Sequence, residues 1–180
     1  MHPIACYAAL RVMHNRSVEI NMSLKLRFIG DVNPVLKRQM IYFGMWLRIH
    51  YEFPVPLEIR LVYQDVLIDF DGTECNLRWW QNSQGRPVKG EIAVKSFDRD
   101  LKEKGEKVAF PTVVAAISRV VKYYYQVIND SPIRYDYAEQ WGDKVMDAYI
   151  DETIPPPPFK KNKANRTSAY TLSLAPPRSG

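Results

Sequence analysis

Cysteine is scarce in this chain of 180 residues: only Cys6 and Cys75 occur. Two thiols support neither a disulfide framework nor a thiolate metal site, so the core must hold by packing. Histidine is almost as rare, with only His2, His14 and His50. No two of them have H-x-x-x-H spacing, and no serine or cysteine has a recognisable histidine partner. His50 closes an amphipathic segment, where a cation at a helix C-terminus is favourable in itself. No apolar run reaches the roughly 20 residues that cross a bilayer. The opening MHPIACYAALRV has no basic start and no long apolar stretch of the signal-peptide kind. These absences lead to the expectation of a cytoplasmic protein without membrane contact, in which the N-x-S/T triplets at Asn15, Asn21 and Asn165 carry no meaning.

Acidic residues are missing after Glu152, while Lys160, Lys161, Lys163, Arg166 and Arg178 follow it. Taking those five from the 25 Lys and Arg leaves 20 basic against 20 acidic residues in positions 1–154. The net charge of +5 therefore belongs to the tail. A neutral body exerts no global pull on phosphate, and only a local patch or the tail itself could do so.

Apolar residues make up 46% of the chain and aromatics 12%, enough for one real core. We divide the sequence into a flexible leader (1–22), a single globular α+β domain (23–154) and a Pro-rich, then basic, flexible tail (155–180). SLKLRF (23–28) alternates as a short strand does. Asn33-Pro34 is an N-cap followed by a first-turn proline, and Leu36, Met40, Phe43 and Leu47 continue at helical spacing to about residue 50. FPVP (53–56) stops that helix. Leu57, Ile59, Leu61 and Tyr63 alternate with polar residues, and GEIAVKSF (90–97) reads as a further strand. Asp71-Gly72 between two apolar runs signals a hairpin. DRDLKEKGEK (98–107) reads as a charged connector or short helix. Val113, Ile117, Val120, Tyr124 and Val127 form one stripe of a second long helix (110–129), with Ala115-Ala116 allowing close packing. A third helix (136–150) turns Tyr137, Trp141, Val145 and Ala148 inward.

Three stretches invite chemistry. VLIDFDGT (66–73) has the D-x-D-G-T form of a haloacid-dehalogenase nucleophile, which would give a magnesium-dependent phosphatase using Asp69 and Asp71. That nucleophile needs a buried parallel strand leading toward a helix, whereas ECNLRWW reads as a returning strand, so a polar turn is the better reading. RWWQNSQGRPVK (78–89) sets Trp79 and Trp80 beside Arg78 and Arg86. These four are surface-binding candidates, for a peptide or, together with the basic tail, for nucleic acid. Side chains alternate on a strand, so the two tryptophans face opposite ways.

The third stretch is AISRVVKYYYQ (116–126), with Tyr124-Tyr125-Gln126-Val127-Ile128-Asn129-Asp130 and then AEQWGD (138–143) after it. In these residues and in the order of its elements, the span 34–150 resembles small bacterial and phage zinc peptidases of the gluzincin type. The resemblance implies a zincin-like fold with a small, mostly antiparallel sheet and three main helices (34–50, 110–129, 136–150). In that family the active-site helix carries H-E-x-x-H. Aligned here, the two histidines fall on Arg119 and Tyr123, the glutamate on Val120, and the third zinc ligand near Tyr135 or Tyr137. Arginine does not ligate zinc, valine is no base and tyrosine is a poor zinc ligand at neutral pH. The resemblance thus implies a pseudoenzyme without metal or other cofactor. Arg119, Val120, Tyr123 and Tyr137 would line a relic cleft that binds a protein or peptide, as in a module from a bacterial prophage or mobile element. Arg119 has Glu139 or Asp136 within reach as an ion-pair partner, and Lys122 reads as part of the solvated face.

Overall fold

The computed structural model describes residues 24–81 and 87–159. The leader, Arg86 and the basic stretch 160–180 lie outside the described residues. The order is β1 (Leu24–Ile29), α1 (Pro34–His50), β2 (Leu57–Val62), β3 (Leu67–Ile68), β4 (Glu74–Cys75), β5 (Leu77–Gln81), β6 (Pro87–Ala93), α2 (Lys95–Lys104), α3 (Glu106–Ile128) and α4 (Tyr135–Asp151). The architecture is α+β with a small sheet and four helices.

The first helix forms as its sequence dictates. The Asn33 side chain accepts the Val35 N–H at 2.9 Å, and Pro34 sits in the first turn. Leu36, Met40, Phe43 and Leu47 bury one stripe. The helix carries the chain from β1 back to the start of β2, so the two strands run parallel. The sheet order is β1-β2-β6-β5. β2 and β6 are also parallel, and only β5 is antiparallel to its neighbour. The expectation of a mostly antiparallel sheet is therefore corrected. The separate β3–β4 hairpin is antiparallel and turns at Gly72, whose φ of 85° is a left-handed conformation that glycine adopts without strain.

Pairing puts Leu24, Leu57, Ile59, Leu61, Gly90, Ile92 and Trp79 on one face of the sheet, and the helices cover that face. Lys25, Arg27, Glu58, Arg60, Lys89, Glu91, Arg78 and Trp80 alternate with them and point the other way.

α3 is the central helix. Val113, Ile117, Val120, Val121 and Tyr124 are all buried. Each such side chain is worth about 1.5–3 kcal/mol of transfer free energy. Ala115 faces Gly142 of α4, where an added Cβ would lie 3.1 Å from the Ala115 carbonyl oxygen. Small residues on both sides thus set the close α3–α4 approach. α3 begins before Phe110-Pro111: Gly105, with φ of 84°, separates it from α2, and Pro111 falls in its second turn. Lys95, Ser96 and Phe97, expected to extend a strand, open α2 instead. Phe97 is buried there beside Asp98, which pairs with Lys102 at 3.6 Å, and the remaining charges of α2 are more exposed.

The ordered body also runs past its expected end at residue 154. Tyr51 Oη donates to the Pro156 carbonyl at 2.8 Å, and Trp141 Nε1 donates to that of Pro157 at 3.0 Å. Lys122 Nζ donates to the Pro158 carbonyl, and its ammonium lies 5.0 Å from the Phe159 ring centroid. The proline run cannot form a helix, but its free carbonyls serve as acceptors for three side chains of the body.

Gly90 is the tightest contact between sheet and α3. A Cβ there would stand 2.5 Å from Val120 Cγ1. Gly90→Ala is expected to lower unfolding free energy by about 1–3 kcal/mol in urea titration, the usual cost of overpacking. Val120→Ala should recover part of that loss in the Gly90→Ala background. A neutral Gly90→Ala would contradict this packing.

Candidate functional site

The three tyrosines of α3 diverge less than helical angle suggests, because packing surrounds the helix. Tyr124 is fully buried; its hydroxyl accepts the Val55 N–H at 2.9 Å and donates to the Val55 carbonyl. Tyr125 is buried too and donates to the Glu52 carbonyl. Tyr123 is 6% exposed and stacks on Trp79 of β5 at 5.6 Å, with Tyr135 edge-on at 5.6 Å. Burial, and after it the neighbouring Tyr135, pushes the Tyr123 hydroxyl up to about 12.

The residues proposed to line a relic cleft are therefore separated by environment. Val120 is sealed against Gly90 and lines no cleft. Tyr123 fills the space between α3 and β5. Tyr137 is 47% exposed rather than inward; the Arg134 guanidinium lies 3.8 Å from its ring centroid and donates to its hydroxyl. Trp141, four residues on, takes the inward position. Arg119 is half-exposed and pairs with Glu139 at 3.6 Å, while its Nε is buried without a hydrogen-bond partner among the described residues. An ion pair this open to water contributes about 0–1 kcal/mol. Asp136 is instead held by Arg134 at 2.8 Å. Lys122 is not on the solvated face; it reaches across Trp141 to the proline run, and burial lowers its pKa.

Trp79 points into the helix layer and is not a surface residue of the kind expected. Trp80 and Arg78 point to the opposite face. There Arg78 lies 5.7 Å from the Phe70 ring centroid and 5.8 Å from that of Trp80, and the two rings meet edge-on at 6.0 Å. Arg78 also donates to the Ile68 carbonyl, which ties the β3–β4 hairpin to β5. Phe70, at the hairpin tip, is 72% exposed. Asp69 and Asp71 sit in that same tip. Asp69 accepts the Phe70 N–H at 2.8 Å, and Asp71 accepts the Thr73 N–H at 3.0 Å and the Thr73 hydroxyl at 2.6 Å. The hydroxyl bond is the main reason the Asp71 carboxyl is held below its usual range. Their geometry is that of a turn, not of a nucleophile leaving a buried parallel strand. Among the described residues no group of three or more His, Cys, Asp and Glu side chains could hold a metal ion.

Sequence reasoning did not single out Phe70, Arg27, Arg60, Glu58 or Glu91. The register joins Arg27, Arg60, Glu91 and Arg78 in one row across all four strands. Glu91 is buried between Arg60 (3.5 Å) and Arg78 (2.7 Å). Glu58 lies between Arg27 (3.3 Å) and Arg60 (3.2 Å). Burial would raise the Glu58 pKa, but the hydrogen bonds from Arg60 and Arg27 outweigh it and hold the carboxyl below its usual value. The alternation L-E-I-R-L (57–61) was the available signal for the Glu58/Arg60 pair; the cross-strand partners are non-local and left none.

Tyr123 makes the packing of this region testable. Its folded pKa is raised, so between pH 10 and 12 the folded state binds more protons than the unfolded one. Its share of stability is intact below pH 10 and decays above it, by about 2–3 kcal/mol at pH 12. Tyr123→Phe keeps the ring stack and should change stability at pH 7 by less than about 1 kcal/mol. It should flatten the fall between pH 10 and 12 in chemical denaturation; an unchanged fall would place the hydroxyl in water.

Comparison with models of known protein families, with curated proteins and with solved structures gives no match.

Proposed function

We propose that the chain is a non-catalytic, zincin-like module that binds a peptide, or a segment of another protein, in extended form along β5. The observation that carries this reading is the position of β5. It ends the sheet, and no described strand pairs with its outer edge. An edge strand offers a row of N–H and C=O groups to an added strand, and main-chain pairing then supplies affinity while side-chain pockets supply choice.

The zincin likeness rests on the order of the elements and on the setting of α3. An amphipathic helix, a small sheet, the connector α2 and the long helix α3 follow one another, with AEQWGD on α4. At the positions aligned with the family's histidines and glutamate stand an ion-paired arginine, a core valine and a stacked tyrosine. Tyr123 occupies the space beneath β5, Val120 packs on Gly90 of β6 and Arg119 lies against α4, so binding moves from a cleft floor to the strand edge. The turn geometry of Asp69 and Asp71 favours no phosphatase alternative.

Panning a random peptide library displayed on phage tests the proposal. Selected peptides should slow amide exchange in 77–81. Methylating every second peptide amide should weaken binding by at least about tenfold, since each lost hydrogen bond costs roughly 1 kcal/mol. The proposal fails if no peptide is selected, if methylation is without effect, or if protection appears elsewhere.

A further inference from the structure

The face of the sheet turned away from the helices carries a second surface, distinct from the β5 edge. Lys25, Arg27, Arg60, Lys89 and Arg78 project from it, against only two carboxylates, Glu58 and Glu91. The body of the chain is neutral overall, so the excess of three positive charges on these strands is a local concentration, while Asp69 and Asp71 on either side of Phe70 set two negative charges at its β5 end. From β1 to β5 the row crosses three strand spacings, about 14 Å.

The carboxylates do not simply cancel the cations. Each is shared by two guanidinium groups, Glu58 by Arg27 and Arg60 and Glu91 by Arg60 and Arg78. Charge-assisted bonds of this kind fix the planes and positions of the arginines, and so remove part of the ordering cost of binding an anion. Lys25 and Lys89 form no ion pair among the described residues; they stand on either side of Glu58 in the register, and Lys89 acts on its charge. At one end of the row the Phe70 ring stands largely in solvent, braced by Trp80 and by the Arg78 guanidinium. A phenylalanine exposed at the tip of a two-residue-stranded hairpin adds nothing to a core, but its face can stack on a planar ring.

We infer that this face binds single-stranded nucleic acid, with phosphates along the Lys25–Lys89 side of the arginine row and a base stacked on Phe70. Charge complementarity selects a polyanion. The exposed aromatic at the end of the cationic row selects one with unpaired bases, which a duplex does not offer. The chain's own residues 160–180 do not supply the counter-charge: they contain five Lys and Arg and no acidic residue. They carry the same sign as the face.

The test is fluorescence anisotropy of a labelled oligothymidylate of about 20 nucleotides with the full chain, as a function of salt. Binding should weaken with salt in a linear log–log relation of slope about −0.7 per phosphate neutralised. Lys25→Glu with Lys89→Glu should weaken binding at least about tenfold and reduce that slope. Phe70→Ala should cost about fivefold or more with little change in slope, as loss of stacking does. The melting temperature of each variant establishes that it is folded. The inference is overturned if the oligonucleotide does not bind at low salt. It is equally overturned if binding follows residues 160–180 alone and ignores the double charge reversal. It also fails if polyglutamate competes as well as the oligonucleotide while Phe70→Ala is silent, which would mark an acidic protein as the partner.

Discussion

The structure depends on α3 being buried on almost every side. A helix with a single apolar stripe leaves its other faces to water, but α3 meets the sheet through Val120 and α4 through Ala115. Burying three consecutive tyrosines is tolerable only where the hydroxyls find partners or water, because a lone buried hydroxyl is costly. The segment 51–56 answers that need. Its prolines break α1, and the backbone groups they leave unpaired by helix or strand receive Tyr124 and Tyr125. The proline run 155–158 does the same for Tyr51, Lys122 and Trp141. Two irregular segments are thus fixed by polar groups that the core must satisfy.

This constraint also separates the two faces of the sheet. On the α3 side the sheet is committed to packing, and of the positions aligned with the gluzincin motif Val120 and Tyr123 are buried, while Arg119 stays half-exposed in its pair with Glu139. The opposite face is free to carry charge, and it carries arginines locked by glutamates. On this account the chemistry that the family resemblance would place in a cleft is replaced by core. We propose that recognition falls to the outer edge of β5 and to the face that carries Phe70.

Local signals were legible in the sequence, and non-local ones were not. Asn33-Pro34 and the Leu36–Leu47 stripe located α1 to the residue, because capping and periodicity act over a few positions. Asp71-Gly72 located the hairpin for the same reason. Parallel pairing was misread because strands that alternate apolar and charged residues usually belong to antiparallel sheets with one wet face. Here no described helix covers one face of a largely parallel sheet, and that exception is the origin of the basic surface. The helical crossover between β1 and β2 was the clue to it. Tyr123 and Tyr137 were both assigned to one cleft, yet only tertiary packing decides that one stacks on Trp79 and the other meets Arg134. The anchoring of 155–159 was illegible because its partners, Tyr51, Lys122 and Trp141, lie on other elements.

Native-state hydrogen exchange across α3, with added zinc and with a chelator, tests the central claim most directly. If residues 117–125 form the core of the fold, their amides exchange only by global unfolding and at one rate in both conditions. Protection around Arg119–Tyr123 that rises with zinc, or exchange there that is faster than in β2, would contradict it.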